Sequence, residues 1–347
     1  MADERRGAER VWYGDDVLAR AARLALSPLA LGYRGVIALR NTGFDVGLLR
    51  SSLPPIPALS VGNLTVGGTG KTPFTAWMTT RLIDAGARPA IVLRGYGADE
   101  PGVHAVLNPG VQIVVAADRV RGIARAAEQG ADVAVLDDAF QHRRVRRDVD
   151  LVLVSAERWY EHRHLLPAGP WREPLSSLAR ATAAVVTRKS ASAERAASVA
   201  SALERAIGGA RIATVAFALG ELRSIRGDGR PLAELNGVRV LAIAAIGDPG
   251  AFAAQLVEAG ACVSLRAFAD HHAFTRTDAE QLARDAATHD VVVCTLKDAV
   301  KLDGLWPRAA PPLWYVSQRI SVERGATALD AALETVLRAR ARRDVQR

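Results

Sequence analysis

Residues Ile56–Pro73 read IPALSVGNLTVGGTGKTP, an apolar run followed by a glycine-rich turn, a lysine and a threonine. The segment that continues from there, TPFTAWMTTRLIDAG, has the pattern of a helix. This order of strand, glycine-rich loop and helix predicts a phosphate-binding loop, because glycines let backbone N–H groups converge on anionic oxygens at a helix N-terminus. The alternative is an ordinary glycine-rich turn before a buried helix.

The loop supplies the predicted nucleotide contacts, which are Thr65, Val66, Gly67, Gly68, Thr69, Gly70, Lys71 and Thr72. We expect Lys71 to reach the β- and γ-phosphates of ATP and the Thr72 hydroxyl to bind Mg²⁺. The usual motif begins with a glycine where this chain has Thr65. The chain contains only four lysines against 41 arginines, so a lysine at this position favours nucleotide binding over a structural turn.

The composition of the whole chain limits its class. The 347 residues suit two domains, each with its own core. Hydrophobic residues at 49% and charged residues at 24% are typical of a soluble globular protein, and the net charge of +8 indicates an anionic partner. Aromatics make up only 5%, which argues against a stacking surface for nucleic acid. Cys262 and Cys294 lie outside any metal-ligand spacing and indicate a reducing compartment.

The N-terminal segment has no sequence signal for export. MADERRGAER is charged and lacks an apolar core with a cleavage site. The apolar run Leu24–Tyr33 is too short for a bilayer span, which needs roughly 20 residues. Val17–Arg40 carries four arginines and no acid, so it is either an amphipathic helix at lipid headgroups or a helix packed on the domain.

Further apolar runs alternate with alanine-rich helices, which predicts a doubly wound α/β domain and, beyond Arg211, a second α/β unit. The run Ala131–Leu136 ends in Asp137-Asp138, a pattern that fits the Mg²⁺-holding strand of phosphate-loop enzymes. Asp99 and Glu100 come shortly after another apolar run, Arg88–Leu93. From the residues alone, these two acids are either a solvated pair in a loop or ligand contacts at the edge of the sheet.

Asp270-His271-His272 is the most polar cluster of the second unit. Adjacent histidines point apart on a helix or a strand, so they seldom bind one metal ion together. A catalytic or substrate-orienting histidine and a structural histidine remain the two alternatives.

Eight motifs in series resemble one family: VGNLTVGGTGKTP, LRGYG, ADEP, LDDAFQHRR, LLPAGPWREP, IGDP, FADHHAF and TLKDAVKL. In this order, from Ile37 to Val322, they resemble the tetraacyldisaccharide 4′-kinases, the lipid A 4′-kinases of Gram-negative bacteria, whose pattern includes the departure at Thr65. The resemblance implies ATP- and Mg²⁺-dependent phosphorylation of the 4′-hydroxyl of a tetraacyldisaccharide 1-phosphate. It also implies a peripheral enzyme at the cytoplasmic face of the inner membrane, with no nucleic-acid partner and no obligate protein partner.

The fold implied by the resemblance is α/β: a phosphate-loop NTPase-type doubly wound parallel sheet domain plus a smaller C-terminal α/β domain. The predicted boundaries are a membrane-interface helical arm over residues 1–50, the kinase domain over 51–211, and a C-terminal domain over 212–347 that closes the cleft.

The resemblance also assigns roles to side chains. Asp99 and His271 match the pair that activates the sugar hydroxyl, although this chain has a shorter loop before ADEP, with Ala98 in place of glycine. Such a base contributes roughly 10²–10⁴-fold. Asp137 and Asp138 match the acids near Mg²⁺ and the phosphates, with Asp138 and Lys71 also catalytic. The expected substrate contacts are Glu100, Arg119, Gln141, His142 and Arg172.

Two other functions are open to a chain with this phosphate loop. One is a kinase of a soluble metabolite, which would need neither lipid nor the N-terminal arm. The other is a non-catalytic nucleotide switch at the membrane, although a switch has no need of the ADEP and DHH motifs.

Overall fold

A computed structural model describes residues 2–95, 97, 99–159, 163–207, 211–225, 227–270 and 272–345. The strands are β1 Ala58–Asn63, β2 Pro89–Leu93, β3 Gln112–Val115, β4 Val133–Asp137, β5 Val149–Ser155, β6 Ala183–Arg188, β7 Ile212–Arg223, β8 Gly229–Arg230, β9 Arg239–Ala244, β10 Cys262–Ala267, β11 Val291–Cys294 and β12 Leu313–Arg324. The α-helices are α1 Ala2–Tyr13, α2 Val17–Asp45, α3 Lys71–Asp84, α4 Glu100–Leu107, α5 Arg119–Glu128, α6 Ala193–Ile207, α7 Pro249–Glu258, α8 Arg276–Ala286, α9 Leu296–Leu302 and α10 Ala326–Val345. Short 3₁₀ helices span Leu175–Arg180 and Leu232–Leu235.

The chain divides into two compact units. The first unit comprises Met1–Gly95, Asn108–Ala216 and Ser321–Arg347, and the second comprises Tyr96–Leu107 and Phe217–Ile320. Three segments group differently from the predicted domains, since residues 96–107 belong to the second unit and residues 212–216 and 321–347 belong to the first. These groupings follow from packing rather than from position in the chain.

The sheet of the first unit has the strand order β7-β6-β5-β1-β4-β2-β3, and its strand pairs are parallel. Strand β1 lies between β4 and β5, with Leu59 opposite Val135 on one side and Val149 on the other. Every residue of β1, β4 and β5 is buried, as expected for a parallel sheet with helices on its faces. The carboxyl ends of β1 and β4 therefore lie at the same edge, where open α/β sheets bind ligands. The predicted fold class is confirmed.

The second unit has its own parallel strands in the order β10-β9-β11-β12. The last residues of β7 pair with β8 in antiparallel fashion, Leu222 opposite Arg230. Helices α4 and α9 are close neighbours here, because a Cβ built on Gly102 would lie 2.5 Å from Cγ1 of Val300. This close packing brings the start of α4 next to the polar side chains of α9.

Strands β7 and β12 extend beyond the apolar runs Ile212–Phe217 and Leu313–Ile320, from which the sequence predicts two shorter strands. The sequence predicts ends at Phe217 and Ile320, whereas the strands continue to Arg223 and Arg324. The reason is that burial becomes irregular after Phe217 in β7 while the backbone stays extended, so the apolar pattern ends before the strand does. Both strands pass from one unit into the other at these points.

The arginine-rich N-terminal stretch forms α2, which continues through Pro28 to Asp45. Asp16 caps its start by accepting a hydrogen bond from Ala19 N at 2.8 Å. The helix exposes a row of large apolar side chains at Val17, Leu18, Leu24, Leu29, Leu31, Val36 and Leu39. Among the described residues, no helix combines the length and apolar character that crossing a bilayer requires.

Candidate active site

The phosphate loop connects β1, which ends at Asn63, to α3, which begins at Lys71. Gly67 and Gly70 have φ angles of +112° and +85°, in the region that favours glycine. Gly70 occupies the N-cap position of α3, so the backbone N–H groups of the first helical turn face the loop. A loop of this shape at a helix N-terminus binds phosphate.

Neighbouring segments hold this loop in place. Thr69 is buried; its hydroxyl accepts a hydrogen bond from Asn63 Nδ2 at 2.9 Å, and its carbonyl oxygen accepts one from Thr187 Oγ1 at 3.0 Å. At the other end, Val66 N donates to Pro170 O at 2.8 Å, and Thr65 forms a β-bridge with Trp171. The loop is thus fixed before any ligand binds, which lowers the entropic cost of binding.

Lys71, Asp138 and Arg172 form a charged cluster at the end of the loop. Lys71 Nζ lies 3.8 Å from Asp138 Oδ1, and the guanidinium of Arg172 donates to both oxygens of Asp138 at 2.7 and 3.2 Å. Burial opposes ionisation of Asp138, but Lys71 and Arg172 outweigh it and hold the pKa of that carboxyl below its usual value. Asp138 also has φ +50°, a strained conformation for a residue other than glycine and one that occurs often at functional sites.

Thr72, Asp137 and Asp138 are the predicted magnesium ligands. Thr72 lies in the first turn of α3, and the buried Asp137 accepts a hydrogen bond from Thr75 Oγ1 at 3.2 Å. A hydroxyl and two carboxylates are oxygen donors of the kind Mg²⁺ prefers, and Mg²⁺ usually binds one or two carboxylates plus substrate phosphates. The described part of the chain has no cluster of three or more His, Cys, Asp and Glu side chains placed for a metal. The three side chains thus fit a Mg²⁺ ion that also binds substrate phosphates.

Asn63 joins three parts of this site and is not among the residues predicted from the sequence. Its amide Nδ2 donates to Thr69 and its Oδ1 accepts from Arg172, while its backbone oxygen accepts from Gln141 Nε2 at 2.8 Å. The preceding glycine, Gly62, allows the turn after β4 to approach, because a Cβ there would lie 2.5 Å from Cβ of Phe140. An asparagine at the end of a fully buried strand is the signal that points to it.

Arg119, Gln141 and His142, all predicted substrate contacts, also lie in the first unit. Burial, and then the charge of Arg119, lower the pKa of His142 to about 4, so the imidazole is neutral near pH 7. Its Nε2 is buried and has no hydrogen-bond partner among the described residues. Arg119 is itself buried at the start of α5, where Asp118 caps the helix. A buried guanidinium beside a neutral imidazole is an arrangement that suits an anionic group.

Asp99 and Glu100 belong to the second unit, at the start of α4. The Asp99 side chain is 3% exposed, and its Oδ2 lies 4.0 Å from Lys301 Nζ. Lys301 also lies 3.6 Å from Oδ1 of the fully buried Asp298, a contact that the sequence analysis did not predict. The predicted partner of Asp99, His271, lies outside the described residues.

Comparisons with known proteins agree on one family. A family model described as tetraacyldisaccharide-1-P 4′-kinase (LpxK) matches residues 22–110 and 99–338. The chain is similar to the tetraacyldisaccharide 4′-kinase of Anaeromyxobacter dehalogenans strain 2CP-1, with 38% identity over 95% of each chain. It is also similar to that of Halorhodospira halophila, with 36% identity over 95% of this chain and 97% of the relative.

One solved structure is similar over nearly the whole chain. It is described as the "apo" form of LpxK from Aquifex aeolicus in complex with ATP. The match covers 91% of this chain and 99% of the solved chain, with a TM-score of 0.73 and 28% sequence identity.

Proposed function

The chain belongs to the tetraacyldisaccharide-1-P 4′-kinase family, and from that premise we propose that it transfers the γ-phosphate of ATP to the 4′-hydroxyl of a tetraacyldisaccharide 1-phosphate. It is an ATP- and Mg²⁺-dependent kinase of lipid A biosynthesis. The observation that supports this most strongly is the cluster of Lys71, Asp138 and Arg172 at the end of a preformed phosphate loop. Phosphoryl transfer depends mainly on positioning and on charge neutralisation, and this cluster supplies both.

Each predicted nucleotide- or metal-binding side chain of the first unit has a role that follows from its position. Lys71 binds the β- and γ-phosphates, while Thr72, Asp137 and Asp138 hold Mg²⁺, which neutralises charge on the same phosphates when bound. Arg172 fixes Asp138 through two hydrogen bonds. Because the carboxylate is already oriented and its pKa is lowered, it is ready to act as an anionic ligand near pH 7.

The acceptor hydroxyl needs a base, for which we propose Asp99 together with His271. A sugar hydroxyl is a weak nucleophile near pH 7, and a positioned base contributes roughly 10²–10⁴-fold. Asp99 is buried, and its Oδ2 lies 4.0 Å from Lys301 Nζ. We further propose that Glu100, Arg119, Gln141 and His142 contact the substrate, with Arg119 and His142 facing its anionic part.

We propose that α2 binds the surface of the inner membrane at its cytoplasmic face, as a peripheral arm of residues 1–50. Its large apolar side chains are exposed, among them Leu24, Leu31 and Leu39. Its opposite side contacts the loops of the site, since Tyr33 Oη donates to Arg172 O at 3.0 Å and Arg40 donates to Gln141 O. A lipid headgroup bound by this helix would therefore lie beside substrate-binding residues. We also propose the remaining domain boundaries predicted from the sequence, which are residues 51–211 for the kinase domain and residues 212–347 for the C-terminal domain.

Transfer of radiolabel from γ-labelled ATP to the lipid disaccharide in detergent micelles tests the activity. Lys71→Ala and Asp99→Ala should each lower turnover by about 10² or more in chains that remain folded. Arg125→Ala, an exposed arginine on α5, is the matched control and should retain full turnover. Full activity of Asp99→Ala would remove Asp99 as the base and leave Asp138 as the candidate.

Two further measurements separate the alternative functions. ATP binding without label transfer to lipid would indicate a nucleotide switch, and unchanged turnover after deletion of residues 1–50 would indicate a soluble substrate. For the arm, Leu31→Asp should weaken binding to anionic phospholipid vesicles, whereas Val257→Asp, an equally drastic change at an exposed valine of α7, should not. Equal vesicle binding by both variants would refute the membrane role of α2.

A further inference from the structure

Arg158, which follows β5, packs against the phosphate loop. Its guanidinium occupies the space in front of Gly67, because a Cβ built on that glycine would collide with Nη1 of Arg158. Gly67 itself has φ +112°, a conformation that glycine adopts readily and other residues rarely. A glycine at this position therefore serves two purposes, since it allows the backbone angle and it leaves room for the guanidinium.

Helix α1 holds this guanidinium through two side chains. Arg158 Nη2 lies 3.7 Å from Glu9 Oε1, and Cζ of Arg158 lies 5.4 Å from the centre of the Tyr13 ring. Glu9 and Tyr13 are one helical turn apart, at positions i and i+4, so both side chains lie on the same face of α1. An ion pair and a cation–ring contact thus keep Arg158 between α1 and Gly67.

The end of α1 is itself fixed to other parts of the first unit. Trp12 Nε1 donates to Pro167 O at 2.9 Å, and the buried guanidinium of Arg23 on α2 donates to Val11 O at 2.6 Å. Because these contacts anchor the last turn of α1, the helix gives Arg158 a fixed support.

The two adjacent glycines of the phosphate loop are held from different sides. Lys189, in the loop that follows β6, donates from Nζ to Gly68 O at 3.3 Å. Arg158 covers the preceding residue, Gly67. Glycine has the greatest backbone freedom of all residues, so a side chain packed against Gly67 restricts the part of the loop that would otherwise move most.

We propose that Arg158 is a positioning residue for the nucleotide, which links α1 to the phosphate loop and keeps Gly67 in the conformation that binds ATP. A loop that is held before binding loses less entropy when a ligand binds, so the affinity for ATP depends on α1. Arg158 acts through the backbone of the loop rather than by contact with the phosphates. This inference rests on the proposed function, because it takes ATP binding at the phosphate loop as given, and it adds a role for α1 that is separate from binding lipid.

Dissociation constants for MgATP, measured by calorimetry on the full chain, test this link. Arg158→Met keeps an apolar stem without the charge and should weaken ATP binding about three- to tenfold. Glu9→Gln and Tyr13→Leu should each weaken it about two- to threefold, while Arg158→Lys should regain part of the loss because a charge remains beside Glu9. Arg10→Gln breaks an exposed ion pair of the same helix, with Asp16 at 3.3 Å, and as the matched control should leave the dissociation constant unchanged.

A double-mutant cycle separates this role from direct contact with the phosphates. If Arg158 and Glu9 act as a unit, Glu9→Gln/Arg158→Met should bind ATP no more weakly than Arg158→Met alone. If Arg158 instead bound the phosphates, Glu9→Gln would release its guanidinium and leave ATP binding unchanged or tighter. That result would overturn the inference, as would an unchanged dissociation constant for Arg158→Met.

Steady-state kinetics give a readout that a general loss of stability would not produce. Arg158→Met should raise the KM for ATP and keep kcat at saturating ATP within about twofold of wild type. A lower kcat with an unchanged KM for ATP would contradict the inference. A wild-type chain that does not bind MgATP would refute the proposed function itself, an outcome distinct from a wild type that binds MgATP and variants that bind it equally well.

Discussion

Lys301 of α9 lies between two buried carboxylates of the second unit, and its replacement gives the most direct test of that arrangement. Lys301 Nζ lies 3.6 Å from Asp298 Oδ1 and 4.0 Å from Asp99 Oδ2, and the three side chains are 14%, 0% and 3% exposed. Asp298 also accepts hydrogen bonds from Ala245 N at 3.0 Å and Thr295 Oγ1 at 2.7 Å, which keep it in place. Lys301→Met preserves the length of the side chain and removes its charge.

The expected cost follows from these distances. At an effective dielectric constant of about 20, attractions at the two distances are each about 4–5 kcal/mol, of which desolvation of the ammonium group offsets a part. Removing one partner of a buried ion pair costs about 3–5 kcal/mol, because the remaining charge stays buried. We therefore expect Lys301→Met to lower the free energy of unfolding of the second unit by about 3–5 kcal/mol at pH 7. Turnover should fall as well, because Asp99 is the proposed base.

Urea denaturation and hydrogen exchange of the α9 amides measure this loss, and pH gives an independent check. Burial raises the pKa of Asp298 above its ordinary 3.8, so this group favours the folded state when protonated, and that contribution is lost as the pH rises through the raised pKa. The deficit of Lys301→Met should develop over the same range and be smallest in acid.

The double variant Lys301→Met/Asp298→Asn removes the second carboxylate as well. It should recover about 2 kcal/mol, within the range of coupling energies between contacting residues. A single variant within about 0.5 kcal/mol of wild type, or a double variant no more stable than the single one, would refute this reasoning.

Three further predictions concern the first unit. Asp138→Asn should lower kcat by about 10²–10³ in the lipid phosphorylation assay. The same change should shift the free energy of unfolding by less than about 1 kcal/mol, because the carboxylate is partly exposed. An unchanged kcat would contradict the proposed role of Asp138. His142 has its pKa lowered to about 4, so the unfolded chain takes up a proton below pH 6.5 before the folded chain does. Wild type should therefore lose stability relative to His142→Gln as the pH falls from 6.5 to about 4 in urea titrations, and parallel pH profiles would argue against a neutral imidazole. Glu173→Gln should cost about 3 kcal/mol in urea denaturation, because Glu173 is fully buried and pairs with Arg180 at 2.8 Å, whereas Glu334→Gln, in an exposed pair, should cost less than about 0.5 kcal/mol.

The α/β fold and the phosphate loop were predictable because both depend on local patterns. Fully apolar runs such as Ala131–Leu136 indicate strands buried on both faces, and the glycines before Lys71 indicate a loop that accepts phosphate. The acids at the end of β4 are predicted site residues for a related reason, since a polar pair at the end of a buried parallel strand lies at the edge where open α/β sheets bind ligands. Their distances to other groups were not predictable.

Lys71 and Asp138 illustrate that limit. They are separated by more than 60 residues, and only the pairing of β1 with β4 brings their side chains to 3.8 Å. Asn63 shows the same dependence, because its importance comes from three partners in other segments: Thr69, Gln141 and Arg172.

The amino-acid sequence by itself determined which segments are buried, which loop has the glycines of a phosphate-binding turn and which acids end a strand, because burial and backbone freedom depend on each residue and its near neighbours. Tertiary structure alone decided which strands are adjacent. It thereby placed Lys189 against the phosphate loop and Lys301 between Asp99 and Asp298. The physical reason is that such contacts join residues far apart in the chain, and no periodicity in the sequence encodes the order of strands across a sheet.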